Sequence, residues 1–378
     1  MTAFIDTLET PAALIALPRM QHNIARMQQQ ADTLGVRLRP HVKTTKCAEV
    51  FRAQRNAGAE GITVSTLKEA AEFFASGVTD ILYAVGMAPH RLPRALALRR
   101  AGCALKIVTD SLEGARAIAD YGRKQDEAFE VLIEIDTDGH RSGIRPDDLA
   151  LMDVGHALHE GGMRLTGVLT HAGSSYELNT PEALTTLAEQ ERAGCVQAAQ
   201  RLRGAGLPCA VVSVGSTPTA LMAASLDGVT ELRAGVYVLF DLVMCNVGVC
   251  RTEDVALSVL TTVIGHQAEK GWAIVDAGWM AMSRDRGTAR QGRDFGYGLV
   301  CSAAGEPLPG YLLSGANQEH GIVSREGAAD ADIVAHFPLG SRLRILPNHA
   351  CATGAQFPAY HALSDDGTGE TWTRFRGW

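Results

Sequence analysis

Lys43 sits in the segment Arg39-Pro40-His41-Val42-Lys43-Thr44-Thr45, after the alternating apolar residues Val36 and Leu38 and before a helix-like stretch. A lysine where a strand hands over to a loop is either a salt-bridged strand end or an amine that captures an aldehyde. Burial disfavours its charged form and so makes it nucleophilic. Arg141 lies between Gly139 and Gly143, where it can approach an anion or a phenolic oxygen closely or simply close a salt-bridged turn. His171, in Thr170-His171-Ala172-Gly173-Ser174, is a candidate base or a hydrogen-bonded packing residue. The segment Ser213-Val214-Gly215-Ser216-Thr217-Pro218-Thr219 combines small hydroxyls, a glycine and a proline suited to a first helical turn, the composition of a phosphate site. Gly235, in Arg233-Ala234-Gly235-Val236-Tyr237, can add another backbone N–H to the same phosphate. Far along the chain, Pro347-Asn348-His349-Ala350-Cys351 offers an imidazole and a thiol two residues apart. In extended chain both point the same way, a donor pair suited to Zn²⁺ or a similar borderline ion. Two ligands leave the coordination sphere incomplete, as a catalytic metal requires. Cys245 and Cys250 are too loosely spaced for a metal knuckle and read as structural.

Positioning these groups falls to a repeated phrase: a short apolar run, a polar or glycine-containing loop, then a helical stretch. The runs are 36–42, 61–65, 81–85, 105–110, 130–136, 165–171, 210–216 and 231–237. Between them apolar residues recur at 3–4 spacing, as in Leu67, Ala70, Ala71, Phe74 and Ala75. Such alternation implies parallel βαβ units, and eight of them predict a closed (β/α)8 barrel of the TIM type. A doubly wound open sheet is the alternative, but no G-x-G-x-x-G turn follows the first strand. In a barrel the chemistry gathers at the carboxyl ends of the strands. There the hydroxyl loop and Gly235 describe a phosphorylated cofactor lying across the mouth, with Lys43 opposite. Met20, Ile24, Met27, Ala31 and Leu34 mark an amphipathic helix ahead of the barrel. After Met244 the runs turn β-like, and residues 10–17 form a further strand-like segment. The expected division is a barrel over 18–244 and a β domain over 1–17 and 245–378.

Bulk properties set the outer limits. At 378 residues the chain exceeds the roughly 250–300 at which single cores stop growing, so two domains are expected. A net charge of −7 argues against nucleic-acid or anionic-membrane partners. No apolar run approaches the roughly 20 residues that span a bilayer, and the first residues lack the pattern of a signal peptide. Eight scattered cysteines without a paired framework fit reduced thiols and a cytoplasmic protein.

The ordered motifs R-P-H-V-K-T (39–44), G-H-R-S-G (139–143), T-H-A-G (170–173), G-S-T-P-T (215–219), R-A-G-V-Y (233–237), D-A-G (276–278), E-H-G (319–321) and P-N-H-A-C-A-T (347–353) cover nearly the whole chain. Through them it resembles the D-serine dehydratase and D-threonine aldolase family, metal-dependent relatives of alanine racemase among fold-type III pyridoxal 5′-phosphate enzymes. The resemblance implies an N-terminal alanine racemase-like barrel, a C-terminal β domain and a head-to-tail homodimer. It makes Lys43 the Schiff-base lysine, sets Arg141 near the phenolic oxygen of the cofactor and puts His171 beside its ring and the reacting carbon. It places Ser216, Thr217 and Gly235 at the phosphate, Arg233 opposite the pyridine nitrogen, Tyr237 among the cofactor-binding residues, and His349 and Cys351 on a divalent metal. Zinc is the first choice, with manganese, magnesium or cobalt as alternatives. His-x-Cys at the metal motif resembles the dehydratases of D-serine and D-threo-3-hydroxyaspartate, whereas the aldolases resemble His-x-Asp. The expected reaction is therefore elimination of water from a D-3-hydroxyamino acid, giving oxaloacetate or pyruvate plus ammonia. Retro-aldol cleavage to glycine and an aldehyde uses the same parts. A non-catalytic pyridoxal phosphate carrier and a racemase are further readings, the former without need of a metal domain, the latter needing a second base.

Overall fold

The structure, a computed structural model, describes residues 3–378. They divide into two compact units, one of Ala25–Gly235 with Gly377–Trp378 and one of the described part of Met1–Ile24 with Val236–Arg376. The first strand, β1 (Ala12–Ala16), belongs to the latter.

The former unit holds β2 (Arg37–Leu38), β3 (Ile62–Val64), β4 (Asp80–Gly86), β5 (Ala104–Thr109), β6 (Glu130–Ile135), β7 (Arg164–Thr170), β8 (Val211–Val214) and β9 (Glu231–Leu232). Each overlaps one of the expected apolar runs. All pair in parallel, in the order β2-β9-β8-β7-β6-β5-β4-β3. A parallel bridge from His41 to Thr63 joins the two ends, so the sheet closes into the expected barrel. Four helices of this unit start at a hydroxyl residue. Thr66, Ser111, Thr180 and Ser216 each accept a backbone N–H three residues on, which satisfies one of the donors a helix leaves open at its start.

Side chains two apart on a strand share a face, and this parity sorts the barrel residues into layers. Toward the amino ends of the strands Arg39 pairs with Glu231 at 2.6 Å and Asp80 at 2.7 Å, while Lys106 meets Asp80 at 2.6 Å and Ser213 donates to Glu231 at 2.8 Å. Above them Leu82, Val108, Leu132 and Leu169 form an apolar cluster. Continuing the same alternation, His41 follows Arg39, His171 follows Leu169 and Arg233 follows Glu231, which brings the candidate residues to the carboxyl end.

The other unit holds β10 (Leu257–Gln267), β11 (Trp272–Val275), β12 (Gly298–Cys301), β13 (Pro307–Ala316), β14 (Gly321–Arg325), β15 (Arg342–Pro347), β16 (Ala359–Leu363) and β17 (Gly369–Thr373). Strands β10-β11-β14-β13-β12-β15 pair around a ring that returns to β10, an antiparallel barrel. The strand-like segment at residues 10–17 is β1, which pairs antiparallel with β10 and parallel with β16. Asp276, from the D-A-G motif, secures this region by accepting hydrogen bonds from Thr10, Thr261 and the N–H of Thr262 at 2.5, 2.6 and 3.0 Å. Among the described residues no helix is long and apolar enough to cross a membrane.

Candidate active site

At the barrel mouth the structure brings together Lys43, His41, His171, Arg233 and Arg141. Burial drives the His41 imidazole well below its ordinary range, and the charges of Lys43, Arg233 and His171 add to the effect. His171 falls to about 3 through burial and the charges of Lys43, Arg141 and Arg233, against the opposing hydrogen bond of its Nδ1 to the Gly215 carbonyl at 3.1 Å. Both histidines are thus neutral at physiological pH. With Nδ1–H donating to Gly215, the Nε2 of His171 is left as an acceptor. Arg233 is 5% exposed. Its guanidinium donates to the Thr170 carbonyl, and its buried Nε has no partner among the described residues. Lys43 and Arg141 are exposed, and Arg141 lies 3.7 Å from Glu134. Three cations beside two neutral imidazoles make a mouth suited to anions.

The hydroxyl loop supplies a rigid wall. Ser216 caps the helix Thr217–Met222 in a reciprocal arrangement with Thr219, and its hydroxyl lies 2.9 Å from that of Ser175. Thr217 is buried in the first turn. Gly215 has φ +131°, and a side chain there would run into the carbonyl of Arg233. A Cβ on Gly235 would press on the His41 carbonyl at 3.0 Å and the Thr44 hydroxyl at 3.2 Å, so close packing already demands this glycine. Tyr237 is fully buried in the short turn Val236–Val238, in the unit with the antiparallel barrel.

The His-x-Cys motif does not lie in extended chain. β15 ends at Pro347, His349 (φ −136°, ψ 107°) takes the position before the helix Ala350–Gly354, and Cys351 is already inside the first turn. The expected strand geometry gives way because the Ala350 N–H finds a helical cap, the Asp241 carboxylate at 2.9 Å. Asp241 also accepts from the Met244 N–H at 3.0 Å, tying two short helices to one buried carboxylate. His349 and Cys351 still meet, through a hydrogen bond between their side chains. The Nδ1 of His349 lies 2.6 Å from Asp285. Burial opposes protonation of this imidazole, but the bonds to Asp285 and Cys351 outweigh it and push it up to about 11. Among the described residues no group of three or more His, Cys, Asp or Glu side chains is arranged to hold a metal ion.

The family model of the alanine racemase N-terminal domain matches residues 15–242, more than half of the chain. A serine dehydratase domain model matches 256–363. The chain belongs to the alanine racemase N-terminal domain family. Within it, the D-threo-3-hydroxyaspartate dehydratase of Delftia sp. (strain HT23) is 73% identical, covering 98% of both chains. The D-serine dehydratase of Dictyostelium discoideum is 30% identical over 96% of this chain and 95% of its own. The solved structure of the Delftia dehydratase superposes with a TM-score of 0.98 at 73% identity, over 98% of this chain and 99% of the other.

Sequence reasoning missed two residues that bond to the candidate groups, one in each unit. Asp285 is 64 positions from His349, and nothing in the sequence links them. Glu191 did leave a signal. On the helix Pro181–Gly204 the buried face runs Leu184, Leu187, Ala188, Glu191, Cys195, Ala198, Ala199 and Leu202, so a carboxylate interrupts an apolar stripe. It is 2% exposed and accepts the N–H groups of Ala172 at 2.8 Å and Gly215 at 3.1 Å.

Proposed function

We propose that this chain is a lyase dependent on pyridoxal 5′-phosphate and a divalent cation, which eliminates water from D-threo-3-hydroxyaspartate, D-serine or both to give oxaloacetate or pyruvate plus ammonia. The observation that carries the reading is the 73% identity, over 98% of both chains, to the Delftia D-threo-3-hydroxyaspartate dehydratase. The site chemistry agrees with it. Lys43, Arg141 and Arg233 meet the charge of a phosphorylated aldehyde, and the unpartnered buried Nε of Arg233 is a donor awaiting an acceptor. The imidazole–thiol pair of His349 and Cys351 suits a borderline cation, zinc before manganese, magnesium or cobalt. A variant of the Delftia dehydratase has been solved in a form described as metal-free, at the same identity and with a TM-score of 0.98, over 98% of this chain and 99% of its own.

When bound, pyridoxal 5′-phosphate supplies an electron sink for the α-carbon, and the cation supplies a Lewis acid for a hydroxyl that leaves poorly as hydroxide near neutral pH. Lys43 would hold the cofactor through its carbonyl carbon, and its amine is the group that would move the α-proton. Arg141 would meet the phenolic oxygen, Arg233 the ring nitrogen, and Ser216, Thr217 and Gly235 the phosphate, with Tyr237 among the residues that would hold the cofactor. His171, neutral and fixed by the Gly215 carbonyl, would orient ring and substrate through Nε2. Its pKa of about 3 makes it a weak acceptor for a hydroxyl proton, which weighs against retro-aldol cleavage. His349 and Cys351 would hold the cation. Asp285 holds His349 Nδ1, which would leave Nε2 for the cation, the usual service of a carboxylate to a metal-binding histidine. We further assign a homodimer in a reducing, cytoplasmic setting, in keeping with eight cysteines that form no disulfide among the described residues.

An assay of the purified protein with pyridoxal 5′-phosphate and each candidate cation, scoring ammonia against glycine, tests the proposal. Ammonia is expected from D-threo-3-hydroxyaspartate, D-serine or both, with loss of turnover on chelation and recovery on adding metal back. Glycine from D-threonine without ammonia would overturn it in favour of the aldolase.

A further inference from the structure

Glu191 is a buried carboxylate that the mechanism does not use, and burying one is unfavourable unless its bonds require it. Its Oε1 accepts two backbone N–H groups that belong to different loops: Ala172, directly after His171, at 2.8 Å, and Gly215, directly before Ser216, at 3.1 Å. The hydroxyl of Thr219 binds the same carboxylate, and Thr219 is the partner with which Ser216 caps its helix. The circuit closes on the ligand side, because the Gly215 carbonyl holds His171 Nδ1 at 3.1 Å. A single oxygen behind the mouth therefore fixes the spacing between the loop that carries His171 and the loop that carries Ser216 and Thr217.

The geometry points to Glu191 as a positioning residue that clamps the loops after β7 and β8, setting His171 against the phosphate-side hydroxyls before any ligand arrives. This rests on the reading of the mouth as the pyridoxal phosphate site. The clamp needs an acceptor oxygen at that point more than a charge. Gln keeps one carbonyl oxygen at the same reach, whereas Asp keeps the charge but is shorter by one methylene and cannot serve both N–H groups.

The test compares E191Q and E191D in the full chain. Amide hydrogen exchange at Ala172 and Gly215 is read without cofactor, together with thermal melting, the pyridoxal 5′-phosphate dissociation constant and the split of kcat against KM. E191Q should hold the cofactor within about threefold of the unmodified protein, while E191D weakens it about tenfold or more and speeds exchange at both amides. Equal losses in the two variants, or tight cofactor binding by E191D with unchanged exchange, would overturn the clamp. So would an E191D protein too unstable to purify beside a normal E191Q, since the bonds would then hold the barrel and not the site. Failure of the unmodified protein to bind pyridoxal 5′-phosphate would sink the cofactor reading alone, because the exchange measurement decides the clamp independently.

Discussion

Two histidines among three cations would be repelled if protonated, and the barrel mouth resolves this by keeping them neutral. His41 is held well below its usual range and His171 at about 3, first by burial and then by the charges of Lys43 and Arg233. Neutral rings add acceptor capacity without adding charge to a site meant for anions, and the bond from His171 to Gly215 chooses the tautomer. The arrangement has a consequence for stability. An unfolded chain protonates both histidines near pH 6.5, whereas the folded chain does not, so the unfolded state binds more protons below that pH. Stability therefore rises with pH across the window from about 3 to 6.5 and falls on acidification through it. Urea unfolding of the cofactor-free protein between pH 5 and 7.5 should show this loss. His171→Asn should flatten the slope by up to about 1.4 kcal/mol per pH unit between about pH 5 and 6. An unchanged slope would mean that His171 is charged in the folded protein.

At the scale of elements, the strand-to-helix corner at residues 347–354 shows how local geometry is set by distant partners. Asp241 caps the helix that begins at Ala350, Asn348 is anchored by donating to the Gly296 carbonyl at 2.7 Å and accepting from Thr288 at 3.0 Å, and Asp285 holds His349. Replacing Asp285 by Asn removes the carboxylate that orients His349, so cation affinity should fall about 10–100-fold while pyridoxal phosphate affinity stays unchanged. Competition against a chromogenic chelator measures the first and absorbance titration the second; equal cation affinity would rule out the anchoring role. Much of the barrel was legible because period-2 runs, hydroxyl caps and the proline at Pro218 are local signals. The corner was not, since the spacing of His349 and Cys351 reads equally as strand or helix start, and the cap that decides it lies 109 positions earlier at Asp241. Glu191 was legible in principle, as a carboxylate interrupting the apolar face of its helix, but its purpose appears only when the loops it joins are brought together.

For the whole molecule, chain order and architecture disagree, and the disagreement is what β1 exists to resolve. The antiparallel unit is built mostly from residues after Val236, yet its sheet runs β15-β10-β1-β16, with an N-terminal strand in the interior of the order. Ala12, Ala13, Leu14 and Ile15 are 4%, 0%, 0% and 0% exposed, and Leu14 packs in a cluster with Ile5, Leu260 and Leu363. The apolar run at residues 10–17 announced a strand expected in the β domain, and the pairing supplies its place between β10 and β16. Removing it would expose the edges of β10 and β16, two rows of unpaired backbone groups open to association. Leu14→Ala leaves the pairing in place and empties a cavity, which should cost about 2–5 kcal/mol of stability. Deleting residues 1–16 should go further, giving a chain that aggregates and loses cation binding with the antiparallel unit. Far-UV circular dichroism, light scattering and chelator competition on the two variants distinguish these outcomes. A deletion variant that stayed monodisperse and bound its cation with unmodified affinity would show that β1 is an accessory edge and not a structural member of the sheet.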